Sequence, residues 1–152
     1  MADRTYRYFK GKPLFSFGDG LSYTTFAYSG LKLSTENLTA GKDLTVDADV
    51  KNTGSIAGDE VSELYLIPPQ SALAPKLHLA GFQRFHLNPG ESRHITLHLD
   101  SRTLSQVDEQ GIRAVTPGKY TVSIGSSQPG GDLGSGTAST SFTITGRKEL
   151  PR

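Results

Sequence analysis

The 152-residue sequence contains no cysteine and no tryptophan. Without cysteine, disulfide bonds and thiolate metal ligands are excluded, and the redox compartment stays undetermined. Without tryptophan, the chain lacks the largest aromatic face for stacking on a sugar ring. It also has no run of 18 apolar residues and no charged N-terminus followed by an apolar stretch, so neither a membrane span nor a signal peptide is predicted.

An excess of charge of one sign is also missing. Lys and Arg together number 16, Asp and Glu together number 15, and the formal net charge is +1. Because the two signs are mixed along the chain, we expect no nucleic-acid partner and no membrane partner. No targeting signal assigns a compartment, so the localisation stays unknown at this level.

What the sequence does contain is the periodicity of β-strands. Residues 44–52 alternate between apolar and polar, which is typical of a strand with one buried and one solvent-facing side. Residues 60–68 differ because they are apolar on both faces, with Leu64 and Leu66 on one face and Val61, Tyr65 and Ile67 on the other. A strand of this kind usually has something covering each face. We therefore expect a partner surface over the second face.

Gly and Pro residues interrupt the strand-forming stretches about every ten residues. This spacing predicts an all-β antiparallel sandwich of about seven or eight strands over residues 28–146, followed by a charged tail at 147–152. Residues 77–99 predict a hairpin, with His94 on its outward face together with Arg84 and His86. Residues 100–108 predict a short helical turn that packs Leu104 and Val107 inward. The strand aromatics mostly alternate with polar residues and are predicted to lie in the core, namely Tyr65, Phe82, Phe85, Tyr120 and Phe142, although Tyr65 could instead belong to a contact surface.

Residues 1–27 show no period and are rich in aromatic side chains. They hold seven of the thirteen aromatic residues, namely Tyr6, Tyr8, Phe9, Phe15, Phe17, Tyr23 and Phe26. Gly and Pro interrupt the stretch, so it fits neither a helix nor a long strand, and its rings need a surface built elsewhere. That surface is either this chain's own sandwich or another domain, and we favour the second.

No stretch specifies an active site. The four histidines fall at residues 78, 86, 94 and 98, and His94 and His98 would lie about 13 Å apart on a strand, too far for one metal ion. Asp47 and Asp49 would lie about 6.6 Å apart, but on a solvent-facing side beside Lys51, where both stay ionised. A nucleophile elbow and a phosphate-binding loop are absent from the sequence. We therefore predict no catalytic residue, no metal ligand and no cofactor.

Several motifs together resemble a known family. The N-terminal stretch contains TYRYF at 5–9, PLF at 13–15 and FGDGLSYTTF at 17–26, and the later motifs are DADVKNTG at 47–54, AGDEV at 57–61, LYL at 64–66, LAGF at 79–82, LNPGE at 87–91 and PGKY at 117–120. In this order they resemble the end of family 3 glycoside hydrolases, where a linker leads into a fibronectin type III-like domain. Asp19 stands where members of the family commonly carry an aromatic residue or histidine.

The resemblance implies a fibronectin type III-like (immunoglobulin-like) sandwich with an irregular N-terminal extension. It also implies a non-catalytic module that braces the catalytic domains of a β-glucosidase or β-xylosidase, whose catalytic residues lie in domains that precede this one. Residues 1–27 then correspond to the linker from the preceding catalytic domain. The candidate interdomain contacts are Phe15, Phe17, Tyr23, Phe26, Val61, Tyr65 and Ile67.

A second function stays open beside the bracing role. The chain could serve as an accessory module that binds plant polysaccharide or a lignin-like polymer. Self-association of the isolated domain is a further expectation, since it would cover exposed aromatic residues. The resemblance implies a periplasmic or secreted parent enzyme, and the sugar that the parent cleaves is not specified by this chain.

Overall fold

The computed structural model describes residues 4–70, 74–130 and 136–151. The Gly- and Ser-rich stretch at 125–136 predicts a flexible loop, and its residues 131–135 lie outside the described residues. One short helix, α1, spans Thr5–Tyr8. The strands are β1 Phe26–Leu33, β2 Asn37–Thr39, β3 Leu44–Asn52, β4 Gly58–Ile67, β5 His78–Leu87, β6 Ser92–Leu99, β7 Gln106–Val107, β8 Arg113–Val115, β9 Gly118–Gly125, β10 Ala138–Thr145 and β11 Lys148–Glu149.

The strands form two main sheets and one small sheet. The first has the order β1-β3-β6, the second has the order β2-β10-β9-β4-β5, and the small sheet has the order β11-β8-β7. Neighbouring strands are antiparallel except for β2, which runs parallel to β10. The predicted all-β sandwich is confirmed. Seven strands are eight residues or longer, and the described residues add four short strands.

The core lies between the two main sheets. Alternate residues of β3 (Leu44, Val46, Ala48 and Val50) are buried, while Lys51 is exposed, so the predicted register of this strand is confirmed. The facing sheet contributes buried side chains from β4, β9 and β10, namely Leu64, Leu66, Tyr120, Val122, Ile124, Phe142 and Ile144. Period-two alternation on both sheets therefore builds one shared apolar layer.

Tyr120 fixes the entry into β9. Its hydroxyl donates a hydrogen bond to the Thr116 carbonyl oxygen at 2.9 Å, and its ring stacks on Phe142 with centroids 5.6 Å apart. A tyrosine that bonds back to the backbone a few residues upstream is the tyrosine corner of immunoglobulin-like sandwiches. The bond satisfies the hydroxyl of a ring that is otherwise fully buried.

The predicted hairpin at residues 77–99 is wrong. β5 pairs with β4, whereas β6 pairs with β3 in the other sheet. The turn between them is tied to the end of β3, since the Gly90 N–H donates to the Asn52 carbonyl oxygen at 2.9 Å and the Asn52 N–H donates to the Glu91 carbonyl oxygen at 2.9 Å. His94 therefore lies on a different sheet from Arg84 and His86.

Three smaller predictions are also corrected. Phe82 is 65% exposed rather than buried, because it lies three residues from the buried Phe85 and so projects from the opposite face of β5. Residues 100–108 contain the predicted helical turn, in which the Leu104 N–H donates to the Asp100 carbonyl oxygen at 3.0 Å. Leu104 is buried as predicted, but Val107, predicted to pack inward, is exposed in β7. The predicted tail contains β11, which pairs with β8.

Candidate functional site

The N-terminal segment, defined here as residues 4–25, lies on the outer side of the five-stranded sheet at β4. The Tyr6 ring stacks on the Phe17 ring at 4.1 Å and meets the Tyr65 ring edge-on at 6.4 Å. Tyr65 is fully buried as a result. The surface that covers this residue therefore belongs to the chain itself, and the prediction of an open docking site at Tyr65 is wrong.

Backbone hydrogen bonds hold the first half of the segment in place. The Lys76 N–H donates to the Arg7 carbonyl oxygen at 2.7 Å, and the Gln128 N–H donates to the Phe17 carbonyl oxygen at 3.0 Å. The Tyr6 hydroxyl accepts a bond from the Leu79 N–H at 3.2 Å. These contacts fix the segment at two places, the start of β5 and the loop after β9.

The end of the segment enters the sandwich. The Thr24 hydroxyl donates to the Asn52 side-chain oxygen at 2.7 Å, and the Thr53 N–H donates to the Thr25 carbonyl oxygen at 2.8 Å. Phe26 follows as the first residue of β1 and is only 4% exposed. Phe26 is thus a core residue, and its prediction as an interdomain contact is wrong because the alternation of β1 points its ring inward.

Between these anchors the segment presents large apolar side chains to solvent. Leu14, Phe15, Leu21 and Tyr23 are exposed by 96%, 73%, 96% and 97%, and we call these four residues the outward apolar surface. Leu14 and Leu21 were missed by sequence reasoning, which counted only aromatic rings. Their position beside Pro13 and Gly20 in a stretch without a period is the signal that could have revealed them.

The other predicted contacts divide by exposure. Phe17 is 43% exposed, so its ring both covers Tyr65 and reaches solvent, and Val61 is 39% exposed. Ile67 is half-buried. On the paired strands β4 and β5, Val61 lies opposite Arg84, and the exposed Phe82 lies opposite Glu63. Val61 and Phe82 are therefore diagonal neighbours on the outer face of the sheet.

An open groove of about 870 Å³ lies beside the outward apolar surface. Its walls carry the rings of Tyr6, Phe9, Phe15 and Phe17, and the side chain of Lys76. The Lys76 ammonium donates to the Phe9 carbonyl oxygen at 2.9 Å. Aromatic rings combined with a cation make this groove able to hold an apolar or aromatic chain with an acidic group.

The segment approaches β4 most closely at Gly18, where the backbone has a φ of +86°. A Cβ on Gly18 would overlap the Glu63 carboxylate, so only glycine fits here. Burial and the nearby Asp19 raise the pKa of Glu63, against the opposing effect of a 2.6 Å hydrogen bond from the Tyr65 hydroxyl. The segment therefore closes over a carboxyl group that is more easily protonated than usual.

A second carboxyl group lies on the inner face of β4. Burial raises the pKa of Glu60, which accepts a hydrogen bond from the Tyr28 hydroxyl at 2.5 Å. Glu60 and Glu63 are three residues apart on one strand and therefore project from opposite faces of the sheet. This arrangement does not place the two groups on either side of one bond, as glycoside hydrolysis requires.

The histidines lie in three different places. The His94 Nδ1–H donates a hydrogen bond to the Asp49 carboxylate at 2.8 Å on the outer face of the three-stranded sheet. This bond raises the pKa of His94, and the predicted outward direction of the side chain is confirmed. His86 contacts Asp59 at 2.7 Å on the other sheet. His78 is half-buried near Thr103. Among the described residues, no group of three or more His, Asp or Glu is placed to hold a metal ion.

Within residues 4–70, 74–130 and 136–151, no helix has the length and apolar character needed to cross a bilayer.

Comparison with known proteins agrees with the fold. A family model described as a fibronectin type III-like domain matches residues 60–128. A β-xylosidase from Formosa agariphila is 38% identical over 129 residues, which cover 84% of this chain and 18% of the relative. A probable β-glucosidase I from Aspergillus niger is 40% identical over 129 residues, which cover 78% of this chain and 16% of the relative.

Solved structures give the same result. β-Glucosidase 3B from Thermotoga neapolitana matches with a TM-score of 0.80 and 32% identity, over 97% of this chain and 19% of that chain. A β-glucosidase from Erythrobacter marinus matches with a TM-score of 0.78 and 29% identity, over 93% of this chain and 18% of that chain. The chain thus spans less than a fifth of the length of these relatives.

Proposed function

We propose that this chain is a non-catalytic fibronectin type III-like module of a β-glucosidase or β-xylosidase of glycoside hydrolase family 3, and that it braces the catalytic domains of that enzyme. In this role the sandwich supplies a rigid body. The N-terminal segment supplies the apolar contacts with the preceding domain.

One observation carries the proposal, namely the outward apolar surface. Its four side chains are 73% to 97% exposed, although the segment that bears them is held at both ends by hydrogen bonds and ring contacts. Several large exposed apolar groups on one short stretch of fixed backbone are typical of an interaction site. Covering a large apolar side chain contributes about 1.5–3 kcal/mol, so a partner that buries these four residues would gain substantially.

The neighbouring surface extends the proposed contact. Val61 and Phe82 are exposed on the outer face of β4 and β5, and Leu21 and Val61 line the same small cavity of about 240 Å³. A domain docked on the segment could therefore continue onto the sheet. This continuity favours one broad contact rather than several separate ones.

The direct experiment is a domain exchange. The corresponding region of Thermotoga neapolitana β-glucosidase 3B would be removed in one form of that enzyme and replaced by this chain in another. We expect the exchanged enzyme to resist thermal inactivation better than the truncated one, with equal kcat for an aryl-glucoside per folded molecule. Equal thermal inactivation of the two forms would contradict the bracing role.

A second candidate function rests on the aromatic groove. Phe9, Phe15 and Phe17 present rings to one open groove, with Lys76 at its wall, and rings of this kind can stack on sugars or on lignin-like aromatic groups. Co-sedimentation of the chain with insoluble xylan, cellulose and lignin tests this function. Retention on one polymer that Phe15→Ala abolishes would favour binding, and equal retention of the variant would point to non-specific adsorption.

A further inference from the structure

A second, smaller cavity is lined by cationic side chains. It measures about 210 Å³ and is bordered by Arg7 and Tyr8 of α1, His78 of β5 and Arg113 of β8. These residues come from three elements that are distant from one another in sequence. The fold therefore gathers three basic side chains around a single small space.

His78 is oriented with one ring nitrogen unused. Its Nε2 lies 3.1 Å from the Thr103 carbonyl oxygen, and because a carbonyl oxygen only accepts, Nε2 must carry the proton. The other nitrogen, Nδ1, is buried and has no hydrogen-bond partner among the described residues. A buried polar atom without a partner is unfavourable, and a ligand in the cavity could supply the missing partner.

The two arginines lack the acidic partners that Arg84 and Arg147 have. Arg84 pairs with Asp59 at 2.6 Å and Arg147 pairs with Asp108 at 3.4 Å. In the part of the chain that the structure describes, neither Arg7 nor Arg113 forms a salt bridge. The Arg113 guanidinium instead donates to the Ser105 hydroxyl at 3.1 Å, which in turn donates to the Arg102 carbonyl oxygen at 2.6 Å.

That hydroxyl contact orients Arg113 without neutralising it. A guanidinium has five N–H donors in a planar fork, and the fork matches the two oxygens of a carboxylate or phosphate. With one donor directed to Ser105, the others stay available. Arg113 is half-buried, so its charge is partly removed from water and would gain from an anionic partner.

We propose that the cavity between Arg7, His78 and Arg113 binds one oxyanion group, either a carboxylate or a phosphate-type anion. The two guanidinium groups bind the oxygens from two sides. His78 donates from Nδ1 once it is protonated, while Nε2 keeps its bond to Thr103. A volume of about 210 Å³ admits a single such group but is small for a ligand of ordinary drug size. This site is independent of the outward apolar surface and of the bracing role.

Binding of the anion is coupled to protonation of His78. Burial, and then the charge of Arg7, lower the pKa of His78 in the empty site. The titratable and charged groups that border the cavity are Arg7, Tyr8, His78 and Arg113, and no carboxylate is among them. An anion bound there would oppose the effect of Arg7, so binding should raise the pKa of His78.

The test is an NMR titration of the 152-residue chain with sodium phosphate and, separately, with sodium acetate, at constant ionic strength set by sodium chloride. We expect a saturable shift of the His78 ring signals and a rise in the His78 pKa. Acetate represents the carboxylate of an Asp or Glu side chain, and phosphate represents a free dianion. Whichever anion binds more tightly identifies the chemistry that the site prefers.

Substitutions show whether the arginines are responsible. Arg113→Gln and Arg7→Gln should each weaken binding at least about tenfold, since a hydrogen bond to a charged group contributes roughly 1.5–3 kcal/mol. Arg84→Gln, which removes an arginine of the outer sheet face, should leave binding unchanged. Arg7 lies on the exposed N-terminal segment, so its variant retains the sandwich. Linear shifts without saturation for both anions, or unchanged affinity in Arg7→Gln, would overturn the proposal.

Discussion

The sandwich buries its apolar side chains, whereas the N-terminal segment exposes several of its own to solvent. In the sandwich, alternate residues of long strands face one shared core, and Leu44, Val46 and Val50 are at most 1% exposed. In the segment, ring contacts and hydrogen bonds fix the backbone, yet Leu21 and Tyr23 are almost fully exposed. The difference shows that a periodic apolar pattern buries its side chains within the domain, whereas the aperiodic segment leaves several of its apolar side chains in solvent.

The largest effect is expected in the sandwich. Val50→Asp should unfold the domain, because it places an unpaired charge at a fully buried position of β3, at a cost of several kcal/mol relative to a typical stability of about 5–15 kcal/mol. Far-UV circular dichroism during urea denaturation measures the loss. His94→Ala on the exposed face of β6 should change the free energy of unfolding by no more than about 0.5 kcal/mol. Equal losses would show that the strand faces are assigned wrongly.

Substitution of Tyr65 tests the contact between the N-terminal segment and the sandwich. Tyr65→Ala should destabilise the isolated chain by about 3 kcal/mol, since it removes a fully buried ring and leaves a cavity under Tyr6 and Phe17. The double variant with Tyr6→Ala should lose less than the sum of the single losses, because the two rings are in contact. Additive losses in urea denaturation would mean that the segment does not cover this part of the sheet.

Sequence patterns predicted the sandwich better than the segment, for a physical reason. Alternation in β3 identifies its buried face, since the side-chain period of a strand is two. The pattern does not tell which strand is the neighbour, and β5 and β6 were therefore paired wrongly. The same pattern indicates that the Tyr65 side chain is covered by another surface. It does not indicate that this surface is the ring stack of Tyr6 and Phe17, because those residues lie more than forty positions away in the chain.

Gly18 is the most sensitive position of the segment. Gly18→Ala should weaken the attachment of the segment by about 1–2 kcal/mol, because alanine is strained at a φ of +86° and its methyl group would overlap Glu63. Hydrogen exchange at the Gln128 amide, which donates to Phe17, measures the attachment. Gly20→Ala is the matched control, since a Cβ at Gly20 meets no atom within 4 Å. Identical exchange rates in the two variants would contradict the close approach.

A smaller effect is expected from pH. The pKa of Glu63 is raised in the folded state, so the folded chain binds this proton more tightly than the unfolded chain does, and stability falls as the pH rises from the ordinary value of 4.5 through the raised pKa. The stability difference between the native chain and Glu63→Gln isolates this group from Glu60, Asp59 and the histidines. This stability difference should change between pH 4.5 and the raised pKa of Glu63, and it should be constant at higher pH. A difference that is constant from pH 4 to pH 8 would show that the segment leaves Glu63 fully hydrated.

The most direct measurement of the central claim compares one pair of substitutions in two settings. The double variant Leu21→Ser/Tyr23→Ser replaces exposed side chains, so in the isolated chain, studied as a monomer, the free energy of unfolding should change by no more than about 0.5 kcal/mol. Attached to the catalytic domains in the exchanged Thermotoga neapolitana enzyme, the same variant should lower the temperature of inactivation by several degrees. Equal inactivation of the native and variant enzymes would contradict the claim that the outward apolar surface contacts another domain.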